Sequence, residues 1–128
     1  MMRGVLTMAL GAAMLFPQGA YAKDKDDDLS PFWRACTHSL KDDICREVAV
    51  HYGARAQDAL NSGDHAAYCW NSMHLLVAGA ILYSNAGNDE RLVVDQRAAT
   101  MLMKECPSRK RQLSELVTII HNLRKPLR

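Results

Sequence analysis

Four cysteines, at positions 36, 45, 69 and 106, are the residues of this sequence best able to do chemistry, and they fall as C-x8-C-x23-C-x36-C. Their fate depends on compartment. In an oxidising space an even set of cysteines forms two disulfides, whereas in a reducing one the same residues read as metal ligands or nucleophiles. Histidine near cysteine keeps the metal reading in view, since His38 lies two residues after Cys36 and His65 four residues before Cys69. No CxxC pair accompanies them, and the expectation is no metal and no cofactor.

The segment ahead of the cysteines decides the compartment. Arg3 precedes an uncharged apolar run, Gly4 to Phe16 (GVLTMALGAAMLF), then Pro17 and the small-residue site Ala20, Tyr21 and Ala22. This is the pattern of a secretory signal peptide over residues 1–22. The run is shorter than the roughly 20 apolar residues of a spanning helix, and the charged stretch Lys23 to Asp28 (KDKDDD) follows at once, so no membrane association is expected after signal removal. All four cysteines lie beyond it. Oxidation to two disulfides in the periplasm is therefore the expectation for Cys36, Cys45, Cys69 and Cys106.

Other catalytic constellations are missing from the sequence. There is no HExxH, no Gly-rich phosphate loop and no GxSxG. His74, inside a very apolar stretch, is expected to bond a neighbouring backbone or side-chain group, and His51 and Tyr52 are read the same way. His38, His65 and His121 are expected at the surface. Met73, Met101 and Met103 are expected to fill the core. Trp33 and Trp70 are the candidates for an interface anchor, with core packing as the alternative. The chain is not expected to be an enzyme. Sixteen Lys and Arg against fourteen Asp and Glu give a net charge of +2, too small for a protein built on phosphate contacts, so nucleic acid is excluded as a partner.

The elements that must position these residues are all helical. Residues 23–29 form a charged tail, and residues 30–128 a single domain. Ser30 and Pro31 mark a helix start, with Phe32, Trp33, Cys36 and Leu40 on its apolar face. Asp42 or Asp43 caps a second helix, in which Ile44, Cys45, Val48, Ala49, Tyr52, Ala56, Ala59 and Leu60 recur at three- and four-residue spacing for about four turns. Asn61 to Asp64 ends it. His65 to Ser72 reads as partly irregular. Met73 to Tyr83 (MHLLVAGAILY) is apolar almost all round and is expected to be a central buried helix.

Ser84 to Asn88 is a loop with Gly87 at a left-handed position. Leu92, Val93, Ala99, Met103 and Cys106 then describe a stripe interrupted by Gln96 and stopped by Pro107. Ser108 caps a last helix with Leu113, Leu116, Val117, Ile120 and Leu123 inward. No period-2 strand pattern is present, so the fold class is all-α, a small bundle of four to five helices stapled by two disulfides. Four cysteines permit three pairings. An extended return from Leu60 to Cys69 would bring Cys69 beside Cys45, which favours Cys45 with Cys69 and Cys36 with Cys106, both at one end of the bundle.

The cysteine order, VAVHYGARAQDAL after Cys45, Cys69 opening the third segment, and LVVDQRAATMLMKECP ending in Cys106 and Pro107 together resemble the Rap/Tai immunity proteins of type VI secretion systems over roughly residues 32 to 107. The resemblance implies a periplasmic helical protein that binds and occludes a peptidoglycan amidase effector, often as a homodimer. The alternative is a periplasmic helical chaperone or accessory factor, similar to acid-stress chaperones. For an inhibitor, the polar loop Ser84 to Glu90 (SNAGNDE) is the candidate plug, with Asn85, Asn88, Asp89 and Glu90 as partner-binding residues.

Overall fold

The structure is a computed structural model that describes residues 30–124; the signal and tail expectations over residues 1–29 lie outside the described residues. Among the described residues there are five α-helices and no strand: α1 (Ser30–Ser39), α2 (Asp42–Ser62), α3 (His65–Asn85), α4 (Asp89–Glu105) and α5 (Lys110–Leu123), with a 3-10 turn at Pro107–Arg109 before the last. No helix among them is long and apolar enough to cross a membrane. The all-α bundle with two disulfides is as the sequence predicts.

Each helix end explains itself locally. Gly63 at φ 77° lets α2 close with two crossed bonds, Asp64 N–H to the Ala59 carbonyl at 2.9 Å and Gly63 N–H to the Leu60 carbonyl at 3.3 Å. Asp64 then caps α3 by accepting from Ala67 N–H at 3.1 Å. This cap overturns the expectation of an irregular stretch over residues 65–72. The weak apolar content there hid a helix whose start is fixed by Asp64. At the other end of α3, Gly87 at φ 65° repeats the α2 closure, and Asn88 N–H reaches the Tyr83 carbonyl at 2.9 Å.

Two starts differ from expectation. Asp42 and Asp43 lie inside the first turn of α2 rather than capping it, and Asp43 Oδ1 accepts from Ile44 N–H at 2.9 Å. Ser108 sits within the 3-10 turn and makes no cap for α5, because Pro107 begins a tighter turn before the α-helix can form.

Helix α3 is the middle layer. It packs on α2 along one side and on α4 and α5 along the other. Cys69, Met73, Ala80, Leu92, Ala99, Leu102, Cys106, Leu113, Leu116 and Ile120 form the core on the α4–α5 side. Val48, Tyr52, Ala56 and Ala59 of α2 are buried on the other. The central position of Met73 to Tyr83 is as expected, but the means differ. Its most buried residues are His74, Ala78, Gly79 and Ala80, while Leu76 and Ile81 are only half-buried. Small residues let the neighbouring helices approach closely, and the larger ones fill the margins.

The disulfides pair Cys36 with Cys45 and Cys69 with Cys106. This corrects the expected pairing of Cys45 with Cys69 and Cys36 with Cys106. The cause is the helix at His65: with only Gly63 and Asp64 between them, α2 and α3 run antiparallel, and their starts lie at opposite ends of the hairpin. By helical rise Cys45 and Cys69 are separated by about 20 Å along the bundle. One disulfide therefore closes the α1–α2 corner, and the other ties the start of α3 to the end of α4. Such bonds belong to an oxidising, non-cytoplasmic compartment.

Candidate functional site

The loop between α3 and α4 lies beside the Cys36–Cys45 corner, so one disulfide is near the loop and the two are not gathered at one end of the bundle as expected. Asn85 makes the connection. Its Nδ2 donates to the Leu40 carbonyl and to Asp42 Oδ1, both at 2.8 Å, across more than forty residues of sequence. Leu40 ends α1 in the left-handed region at φ 58°, its N–H bonded to the Cys36 carbonyl at 2.8 Å. The amide of Asn85 thus fastens the loop to the α1–α2 connection.

Asn88 is also occupied internally. Its side-chain oxygen accepts from Arg91 N–H at 3.1 Å and caps α4. Arg91 in turn donates to the Tyr83 hydroxyl at 3.3 Å and lies 5.3 Å from the centre of that ring. The hydroxyl bond raises the Arg91 guanidinium above its ordinary pKa. Of the four expected partner-binding residues, Asn85 and Asn88 hold the loop in shape, whereas Asp89 and Glu90 stand exposed in the first turn of α4. Their charges suit the positive end of the helix dipole. The result is a short projection with fixed backbone and two outward carboxylates. It could receive a basic group or hydrogen-bond donors from a partner.

A second constellation gathers around His74. Its ring centre is 4.4 Å from that of Trp33, 4.8 Å from Tyr52 and 4.1 Å from Trp70. Nδ1 lies 2.8 Å from the Trp70 carbonyl, an acceptor only, so that nitrogen carries a hydrogen. The backbone bond expected for His74 is present. Trp33 meets Tyr52 edge-on at 6.0 Å, and the Arg109 guanidinium covers Trp70 at 4.8 Å. The cluster thereby joins α1, α2, α3 and the 3-10 turn. Both tryptophans are half-buried within it, so packing accounts for the faces they turn inward. His51 is exposed, with Nε2 3.8 Å from Glu47.

One buried ionisable group escaped the sequence reading. Asp95 is 9% exposed, and its Oδ2 has no hydrogen-bond partner. Desolvation raises its pKa to about 6, against a smaller lowering by Arg91. A signal was present: Asp95 follows Leu92 by three residues and precedes Ala99 by four, so it falls on the apolar stripe. Gln96, noted as the interruption, instead donates to the Val117 carbonyl and accepts from Arg124, both at 3.1 Å. Comparison with protein-family models, curated proteins and solved structures returns no match.

Proposed function

We propose that this chain is a periplasmic immunity protein that binds and occludes a peptidoglycan amidase, the role implied by its resemblance to the Rap/Tai proteins. The observation that carries the reading is the fastening of the α3–α4 loop by Asn85 and Asn88. A loop ordered before binding loses little conformational entropy in the complex, which is what an inhibitory projection requires. Asp89 and Glu90 are the residues that contact the amidase, and Asn85 and Asn88 position them.

The test is a titration of a peptidoglycan amidase effector with wild type and with an Asp89→Ala, Glu90→Ala double variant, following release of cell-wall fragments. Asn85 and Asn88 stay intact so that loop shape is preserved. Loss of affinity by at least about tenfold, worth about 1.4 kcal/mol, is expected. Unchanged inhibition by a folded double variant removes the loop from the interface, and failure of wild type to inhibit removes the reading. Light scattering on the same samples reads whether the chain pairs as a homodimer.

The alternative, a chaperone opened by acid, meets a contrary observation in Asp95. Protonation relieves a buried unpartnered carboxylate there, so acid tightens this part of the bundle.

A further inference from the structure

At the end of the bundle remote from the loop, His65 stands over the Cys69–Cys106 disulfide. Its Nε2 is 3.5 Å from Cys69 Sγ, and the ligand atoms of His65, Cys69 and Cys106 all lie within 4.8 Å of one another. Helix geometry creates this convergence. Residues four apart share a face, so the first turns of α3 present His65 and Cys69 together, while Cys106 arrives from the end of α4. Both sulfurs are buried, and His65 is exposed at the rim. Among the described residues, one histidine and two cysteines thus bring three ligand atoms together here.

We infer that reduction of the Cys69–Cys106 disulfide opens a zinc site formed by the Cys69 and Cys106 thiolates and His65 Nε2, so that this end of the bundle is closed either by a covalent bond or by a metal bridge. Two thiolates with one imidazole form a donor set suited to Zn²⁺, whose bonds to sulfur are about 2.3 Å and to nitrogen about 2.0 Å. Tetrahedral geometry at those lengths separates the ligand atoms by roughly 3.5 to 3.8 Å. The His65–Cys69 distance already meets this. Once reduced, the two sulfurs must part from bonding distance, and Cys106 Sγ, within 4.8 Å of the His65 ligand nitrogen, must close on it as the ring turns. A fourth position is left for water.

A phosphine reductant attacks one sulfur, the S–S bond breaks, and water supplies the oxygen of the phosphine oxide and the two protons of the thiols. Zinc then displaces both thiol protons. In the oxidised protein His65 Nε2 lies 2.6 Å from the Glu105 carbonyl and donates to it. To ligate, the ring must move its hydrogen to Nδ1 and give up that bond. The site therefore forms at the expense of one contact at the end of α4.

The experiment uses the 128-residue chain reduced with a phosphine that does not compete for zinc, titrated with Zn²⁺ against a chromophoric chelator, and with Co²⁺ as a spectroscopic probe. One zinc per chain is expected, with sulfur-to-cobalt charge-transfer and tetrahedral d–d bands. The oxidised chain should bind none at this site. Even outer-shell changes cost 10- to 100-fold in metal affinity, so His65→Ala should weaken binding by at least about 100-fold.

Cys36 and Cys45 are controlled in wild type by mass-spectrometric mapping of alkylation, without need for a cysteine variant. Zinc should shield Cys69 and Cys106 and leave Cys36 and Cys45 open to the reagent. Absence of zinc binding by the reduced chain overturns the inference. So does equal shielding of all four cysteines, or undiminished affinity in His65→Ala.

Discussion

Asp95 and Gly79 face each other across the contact of α3 with α4, where a β-carbon on Gly79 would lie 3.1 Å from Asp95 Oδ2. The glycine makes room for the carboxyl. Alanine in a helix is favoured over glycine by about 0.5–1 kcal/mol, but overpacking a close contact costs about 1–3 kcal/mol. Gly79→Ala should therefore destabilise the bundle by about 1 kcal/mol, the net of those two effects. With Asp95→Ala in the background the obstacle is removed, and the same change should stabilise. Urea unfolding of the four proteins of this cycle reads the reversal; a like effect in both backgrounds would sink the steric account.

The same carboxyl sets a pH dependence. Folding raises Asp95 from the ordinary aspartate value of 3.8 to about 6. Between those values the folded chain holds a proton that the unfolded chain has released, so its contribution to stability is greatest below the lower value and fades as pH rises through about 6. With solvent screening at the open side of the group, the difference is about 1–2 kcal/mol. Asp95→Asn should melt higher than wild type at pH 8, and its melting temperature should vary less between pH 5 and pH 8. A variant whose pH profile overlays that of wild type would assign the titration elsewhere.

The two disulfides should contribute unequally. Cys36–Cys45 spans a sequence separation of 9 and Cys69–Cys106 one of 37. Loop-closure entropy gives about 2.6 kcal/mol for the short loop and about 3.8 kcal/mol for the long one. Denaturant midpoints of Cys36→Ala/Cys45→Ala and Cys69→Ala/Cys106→Ala should fall below wild type in that order, the second further. The reverse order would show that the α1–α2 corner matters beyond its loop length.

Periodicity made the helices legible, because Val48, Tyr52, Ala56 and Ala59 on α2, and Leu113, Leu116 and Ile120 on α5, recur as buried stripes require. The first turns of α3 were not, since His65 to Ser72 offers little apolar signal and its helical state rests on Asp64 accepting from Ala67. That single boundary reversed the direction of the chain and with it the disulfide pairing. The loop was legible as polar and exposed. Its fastening was not, because the partners of Asn85 are the Leu40 carbonyl and Asp42, remote in sequence and unmarked by any motif.

Leu40 holds a left-handed conformation that glycine adopts without steric cost, at φ 58°. A non-glycine residue there loses about 1–2 kcal/mol to the contact of its β-carbon with the following carbonyl. Its side chain is 49% exposed and returns little of that by burial. Leu40→Gly should relieve the strain, while the greater freedom of glycine in the unfolded chain takes back about 0.4–1 kcal/mol. A net gain of about 0.5 kcal/mol is the expected outcome from these opposed effects. Asn85→Ala acts on the same corner in the opposite sense. It removes the donor that holds the Leu40 carbonyl and should cost about 1 kcal/mol. Amide exchange at Leu40, Lys41 and Asp42 distinguishes a local release from a global loss: in Asn85→Ala these amides should exchange faster while those of α5 change only by the global stability difference. Destabilisation by Leu40→Gly would show that the leucine side chain, and not the backbone with its Asn85 tie, holds the corner closed.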